Sequence, residues 1–301
     1  MRLDFRIIVV GLLAFAGAGC ESTRWNWLKT LEAPTKQGAP ANVAAIVKYL
    51  NENASNVQTL RVDDLTIDAT MGNQTIGLTG RVMAEKPRNF RMKVTALGKD
   101  EVDIGSNLHE FWFWAAKNPD PYQYFCSYQD LTEGKVKMMP LPIQPEWVME
   151  AMGLGPYGPA EKYRLETDDP QMLKLVEKAT SPQGHSVRKV IVMHRKEMKA
   201  PTPQVTAFLL LDDATGQEIC SAHITATKVL GREKGAIVPY KMELRMPTQK
   251  MRMFLKMDGM TVNAPIAATA FQRQSMPGID SFNLATGRIE PLQRIQGFDR
   301  K

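Results

Sequence analysis

The feature that most constrains this chain is a side-chain period of two that returns along most of its length. Tyr240, Met242, Leu244 and Met246 alternate with Lys241, Glu243 and Arg245, and Met251, Met253, Leu255 and Met257 alternate with Lys250, Arg252, Phe254 and Lys256. Successive side chains on a strand point to opposite faces, so such segments bury one face and wet the other. The same alternation runs through Leu65, Ile67 and Ala69, through Ile76, Leu78, Gly80 and Val82, through Phe90, Met92, Val94 and Ala96, and through Val102 and Ile104. The breaks at 72–73, 86–88 and 98–99 are too short for crossover helices, which predicts an antiparallel meander. In 109–114 Phe111 and Phe113 fall on one face and Trp112 and Trp114 on the other, so that strand is expected to be covered on both sides.

Further strands at 123–128, 187–194, 205–211, 217–230, 237–246 and 250–257 bring the expected number to about ten or eleven. Helical spacing predicts three short helices. Val43, Ile46, Val47 and Leu50 share a face behind a capping Asn42; Pro145 to Gly153 carries Trp147, Val148, Ala151 and Met152; and 171–179 places Met172, Leu175, Val176 and Ala179 at the same interval. A sheet with one continuous apolar face must close on itself or be plugged, and these helices are the available plug. The predicted fold class is therefore mainly β (α+β). No repeat is evident.

The amino terminus carries a different signal. Arg2 and Arg6 precede the apolar run 7–15, and small residues 16–19 lead to Cys20. The run is too short to span a bilayer as a mature helix, and a cysteine directly after small residues is where lipoprotein signal peptides are cut and acylated. Gly17 departs from the usual aliphatic residue of that motif, and a plain secretory cut near Ala18 is the alternative. The expected division is 1–19 as signal peptide, 20–41 as lipidated tether and 42–301 as the β domain. Trp25, Trp27, Leu28 and Leu31 in the tether either rest on the membrane or pack onto the domain.

Chemistry is sparse. At 44% hydrophobic and 23% charged residues the chain is neither a disordered tail nor a polytopic membrane protein. The formal charge of +6 is spread along strands and not gathered in a block, which argues against nucleic-acid binding. His109, His185, His194 and His223 lack metal-ligand spacing, and no nucleophile elbow, phosphate-cradling glycine loop or zinc-type cysteine pair is present. Cys220, Ser221 and His223 look like a nucleophile and base, but 220 and 223 point to opposite faces of a strand. Asp212 and Asp213 before Thr215 and Gly216 read as a hairpin turn. Cys126 and Cys220 remain once Cys20 is lipidated; an exported location permits a bridge between them, and nothing in the sequence brings them together. No enzyme activity, cofactor or metal is expected.

Lys86, Pro87, Phe90 and Met92, a glycine-containing turn at Gly105, Ser106 and Asn107, and the aromatic strand Phe111 to Trp114 make the chain resemble the outer-membrane lipoprotein carrier (LolA/LolB-like) superfamily, which includes a carrier, a receptor lipoprotein and an envelope-stress sensor. Phe271, Pro277 and Leu284 are similar to that family's closing phenylalanine, proline and hydrophobic strand, so the likeness runs from about Asn42 to Leu284. Lys86 stands where the family usually has an arginine that closes the cavity. The resemblance implies a strongly curved, open half-barrel with helices in or over its concave face, enclosing an apolar cavity for lipid or lipoprotein acyl chains. The lining expected for such a ligand is Leu78, Phe90, Met92, Trp112, Trp114, Trp147, Met152, Met242, Leu244, Met253 and Leu255, whose Met-rich character suits a greasy ligand of variable length. The same side chains equally describe a solid core, in which case the protein acts as an interaction or stress-sensor lipoprotein with an envelope protein partner. Either way the expected location is the cell envelope, lipid-anchored on the periplasmic face of the outer membrane.

Overall fold

A computed structural model describes residues 42–120, 122–136, 139, 144–181, 183–194, 205–231 and 235–290. The expected signal peptide and tether, with Cys20 and the tether tryptophans, lie outside these residues. Helix α1 (Val43–Ser55) opens where Asn42, in extended conformation, accepts the Ala44 amide at 2.8 Å on its side chain. That bond satisfies one of the donors a first turn leaves without a helical partner. Ile46, Val47, Leu50 and Ala54 form its buried stripe.

Six strands follow in hairpin order: β1 (Thr59–Met71), β2 (Gln74–Glu85), β3 (Asn89–Ala96), β4 (Lys99–Ser106), β5 (Glu110–Ala115) and β6 (Gln123–Ser127). Helices α2 (Tyr128–Thr132) and α3 (Pro145–Ala151) lead to a second meander, β7 (Tyr163–Glu166), β8 (Met172–Thr180), β9 (Ser186–His194), β10 (Val205–Asp212), β11 (Glu218–Leu230), β12 (Ala236–Met246) and β13 (Met251–Val262), and two short strands close the chain, β14 (Ser281–Asn283) and β15 (Arg288–Glu290). All belong to one open sheet of order β15-β14-β6-β5-β4-β3-β2-β1-β13-β12-β11-β10-β9-β8-β7. The two meanders join where β1 pairs with β13, and the parallel pair β14·β6 is the exception to an otherwise antiparallel ladder.

The sheet is strongly curved. Helix α1 touches both β12 and β7, which stand five places apart in the sheet order. At about 4.8 Å per strand those two would be roughly 24 Å apart in a flat sheet, more than the roughly 20 Å length of a 13-residue helix. One core therefore unites Ile46 and Leu50 with Phe90 and Val94 of β3, Leu255 of β13 and Leu173 of β8. The fold is the expected open half-barrel with helices on its concave side.

Two expectations need correction. Among the described residues there are fifteen strands, because β7, β8, β14 and β15 escaped the reading of alternation. Residues 171–179, expected to be helical, are strand β8. Leu173 and Leu175 face the core while Val176 is buried on the other side against Val190 of β9, so burial of both faces mimics a helical interval.

Beyond the end of β13, an interior strand, the chain leaves the sheet and crosses its convex face. Residues 263–280 form a strap over β3 to β6 before β14 joins β6. The strap begins at Asn263, whose Oδ1 accepts the Gln58 amide at 2.7 Å and whose Nδ2 donates to the Asn56 carbonyl at 2.8 Å. Under it lies Arg91, 2% exposed, which pairs with Asp103 (Nη2–Oδ2 2.6 Å) and donates from Nη1 to the Gln272 carbonyl at 2.8 Å. The strand 110–115 is thus covered on both sides, as its sequence requires.

Candidate binding face

The concave face is built in rows set by strand register. Ile76, Ala69, Met253 and Leu244 stand side by side on β2, β1, β13 and β12, and Leu78, Ile67, Leu255 and Met242 form the adjoining row. Met92 pairs with Ile104 and Val94 with Val102 across β3 and β4. One end of this wall is filled by the helices. Trp147, Met149, Ala151 and Met152 of α3 are buried in the same core as the α1 stripe.

Polar clamps hold that filling in place. Asn53 exchanges two hydrogen bonds with the backbone of Ile237, each 2.9 Å, and Asn51 does the same with Tyr157 at 3.2 and 3.0 Å. Lys86 donates from Nζ to the Ala54 carbonyl at the end of α1, tying the helix to β2, and burial pushes its pKa down. Helix α3 is joined to the sheet by Arg88–Glu146 at 2.8 Å and Lys189–Glu150 at 3.7 Å. Burial raises the Glu150 carboxyl above its ordinary value, against the pull of Lys189.

The residues expected to line a ligand site divide into three groups. Phe90, Trp147, Met152, Met242, Leu244 and Leu255 are buried in the concave core. Leu78, Met92 and Met253 lie on the same wall but keep part of their surface open, together with Val102, Ile104 and Met251, which the alternation places on apolar strand faces but the expected lining omits. Trp112 and Trp114 are misplaced in that expectation. Their register with Gly105 and Asp103 puts them on the convex face, opposite Phe111 and Phe113, and there Arg91 lies 5.1 Å over the Trp112 ring. The alternation of 111–114 already separated the two aromatic pairs, and only one pair could face the concavity.

A cavity of about 10 Å³, room for one water, lies between α3 and the second meander, lined by residues that include Trp147, Glu150, Tyr163, Glu177, Lys189 and Phe208. Acyl-sized sites need roughly 300 Å³ or more. Reactive groups are not brought together. Cys126 and Cys220 are free and buried, and burial is the main cause that pushes their thiols up to about 11 and about 12. Cys220 packs in the core while His223 faces the other side of β11, and its imidazole pKa is lowered by burial. Asp212 accepts the Thr215 amide and hydroxyl, each at 2.7 Å, within the β10–β11 turn. Among the described residues no group of three or more His, Cys, Asp or Glu is placed to hold a metal ion, and no helix is long and apolar enough to cross a membrane.

No protein-family model matches the sequence, and no curated protein matches it. Solved structures do resemble it in architecture. A DUF1329 family protein from Desulfovibrio piger aligns with a TM-score of 0.48 at 8% identity, over 76% of this chain and 97% of the other. An outer membrane lipoprotein-sorting protein domain from Vibrio parahaemolyticus aligns at 0.47 and 9% identity, over 76% and 97%. A LolA superfamily protein from Nitrosomonas europaea aligns at 0.44 and 10% identity, over 77% of this chain and 99% of the other. In the arrangement of its curved open sheet, the chain is similar to these proteins.

Proposed function

We propose that this chain is an exported envelope lipoprotein, anchored through an acylated Cys20 at the periplasmic face of the outer membrane, that binds acyl chains of a lipid or lipoprotein along the uncovered part of its concave wall. The observation that carries this reading is the partial exposure of Leu78, Met92, Val102, Ile104, Met251 and Met253, apolar side chains that pack against the concave core without being fully buried. The flexible thioethers of Met92, Met251 and Met253 adapt to a chain of variable length. Because the cavity beneath α3 is too small for such a chain, the ligand lies along the wall or enters as α1 shifts. Full-length protein stripped of lipid and titrated with a fluorescent fatty acid is expected to bind with saturation, and Met253→Glu to weaken binding about tenfold, the scale of one buried methionine. A linear, non-saturating response would end the proposal. For the anchor, mass spectrometry of the native amino-terminal peptide is expected to show acylated Cys20; an unmodified terminus at another residue would remove it.

A second reading rests on the filled end of the concavity, where α1 and α3 share one core and the space beneath α3 has room for one water. There the sheet is a solid core and the protein acts through a surface contact with an envelope partner. Cross-linking in intact cells separates the two, since recovery of one protein with no co-purifying lipid favours the second.

A further inference from the structure

The partly exposed part of the concave wall is uneven. Ala69 of β1 stands between Ile76 of β2, 37% exposed, and Met253 of β13, and Gly80 of β2 stands between Leu65 of β1 and Val94 of β3. A methyl group and a bare backbone among larger apolar side chains leave low places on the wall, and Leu78, Met92 and Met251 follow two residues away on the same strands. The chain itself supplies something to fill them. It enters α1 at Asn42, and Val43 packs against the same core as Met92, Met251 and Met253, so residues 20–41 arrive on the concave side. Trp25, Trp27, Leu28 and Leu31, which include two of the chain's five tryptophans, fall within seven positions of one another, and Pro34 and Pro40 oppose a backward extension of α1, making 32–41 a connector. Extended, that connector reaches up to about 36 Å from Asn42, while the run β4-β3-β2-β1-β13 measures about 19 Å across at about 4.8 Å per strand. Every place on this wall is within its reach.

We propose that the chain's own segment 25–31 folds back onto this part of the wall, its tryptophans seated over Ala69 and Gly80, and holds it until an acyl chain displaces it. Large flat rings bury much apolar area at little conformational cost, which suits a wall with shallow low places. Because the segment is attached, it meets the wall at an effective concentration on the order of a millimolar, so even a weak contact keeps the wall covered. The tether is then an internal competitor: it shields apolar surface in the empty protein and is released, tryptophans outward, in the loaded one. The ligand it competes with rests on the preceding reading; the docking itself does not.

The test uses the chain from residue 20 onward carrying Cys20→Ser, in solution without membrane, with introduced cysteine pairs oxidised and mapped by peptide mass. Leu28→Cys is expected to cross-link to Ile76→Cys on the wall at least about tenfold faster than to Thr66→Cys, exposed on the convex face of β1. Cys126 and Cys220 are buried and stay out of the reaction. Met253→Cys gives a second wall position should Ile76→Cys fold poorly. Trp25→Ser/Trp27→Ser is expected to abolish the preference for the wall and to bind a fluorescent fatty acid about tenfold more tightly, since the competitor is removed. Cross-linking at Ile76 is expected to block that binding. Equal rates at Ile76 and Thr66, as a segment lying on a membrane or in solvent would give, would overturn the proposal, and so would an unchanged fatty-acid affinity in the tryptophan variant. If none of the proteins binds fatty acid, the acyl-binding reading fails, and the cross-linking rates alone decide whether the tether covers the wall.

Discussion

The two halves of the sheet treat charge on the convex face in opposite ways. Over β3 and β4 the strap removes Arg91 and Asp103 from water, and the pair is completed by the Gln272 carbonyl and the Trp112 ring. Over β12 and β13 Arg245, Arg252 and Glu243 form a triad whose arginines stay 34% and 55% exposed. The residue types are the same, and what differs is whether a segment from elsewhere in the chain covers them. A desolvated pair is costly to break because the surviving charge keeps its burial, while a solvated one is replaced by water.

The largest expected effect follows directly. Arg91→Ala leaves Asp103 buried without its partner and is expected to cost about 3–5 kcal/mol, whereas Arg252→Ala, which leaves Glu243 its 2.7 Å partner Arg245, is expected to cost under about 1 kcal/mol. Urea unfolding of the two variants checks this, and equal losses would break the comparison. A smaller contrast uses glycine on the same face. A Cβ on Gly105 would lie 2.1 Å from Cζ2 of Trp112, under the strap, while one on Gly77, outside it, meets nothing nearer than 4.0 Å. Gly105→Ala is expected to lose about 1–3 kcal/mol by overpacking, and Gly77→Ala to be neutral or to gain up to about 1 kcal/mol of stability. A stable Gly105→Ala protein would mean that Trp112 is free to move.

How much of this was legible in the sequence depends on the range of the interaction involved. Alternation is local, so eleven strands and α1 with its Asn42 cap were readable, and so was the division of Phe111 and Phe113 from the two tryptophans. The placing of Trp112 and Trp114 on a ligand face failed because which side is concave depends on α1 reaching β12 and β7. Strand β8 was mistaken for a helix because it is buried on both sides, and β14 and β15, three residues each, are too short to alternate. The strap has no period at all. Phe271 and Leu284 are legible only through a family resemblance; Phe271 is buried and Leu284 packs against the aromatic cluster of β5 and β6. Arg91 could be assigned to the outer face but not to a buried pair, since its cover comes from residues about 180 positions later.

The two free thiols sharpen the comparison at the scale of local opening. Cys126 lies on β6, outside which stand only the short strands β14 and β15, while Cys220 lies on β11 in the middle of the second meander. Both react slowly while folded, being held up to about 11 and about 12 chiefly by burial. In dilute urea Cys126 is expected to alkylate before Cys220, because the edge opens at lower free energy than the centre. Arg91→Ala is expected to speed labelling of Cys126 more than that of Cys220. Simultaneous labelling, read by peptide mass, would mean that the sheet opens as one unit and that the strap does not stabilise its own half selectively.

The smallest expected effect concerns Glu150, which joins α3 to the second meander through Lys189. Its carboxyl is raised in the folded state, first by burial and further by Glu177 and Glu146, with Lys189 opposing. A carboxyl whose folded pKa exceeds its unfolded value binds its proton more tightly in the folded state. Its contribution to stability is then fully present below the unfolded pKa and is lost as pH rises through the folded one. Wild type is therefore expected to gain stability relative to Glu150→Gln as pH falls from neutral toward that range, because glutamine carries no such proton. Unfolding midpoints of the two proteins at a series of pH values check the sign. The opposite trend would mean that the Lys189 ion pair outweighs burial, and that α3 is held to the sheet by charge more than by the apolar contacts of Trp147 and Met149.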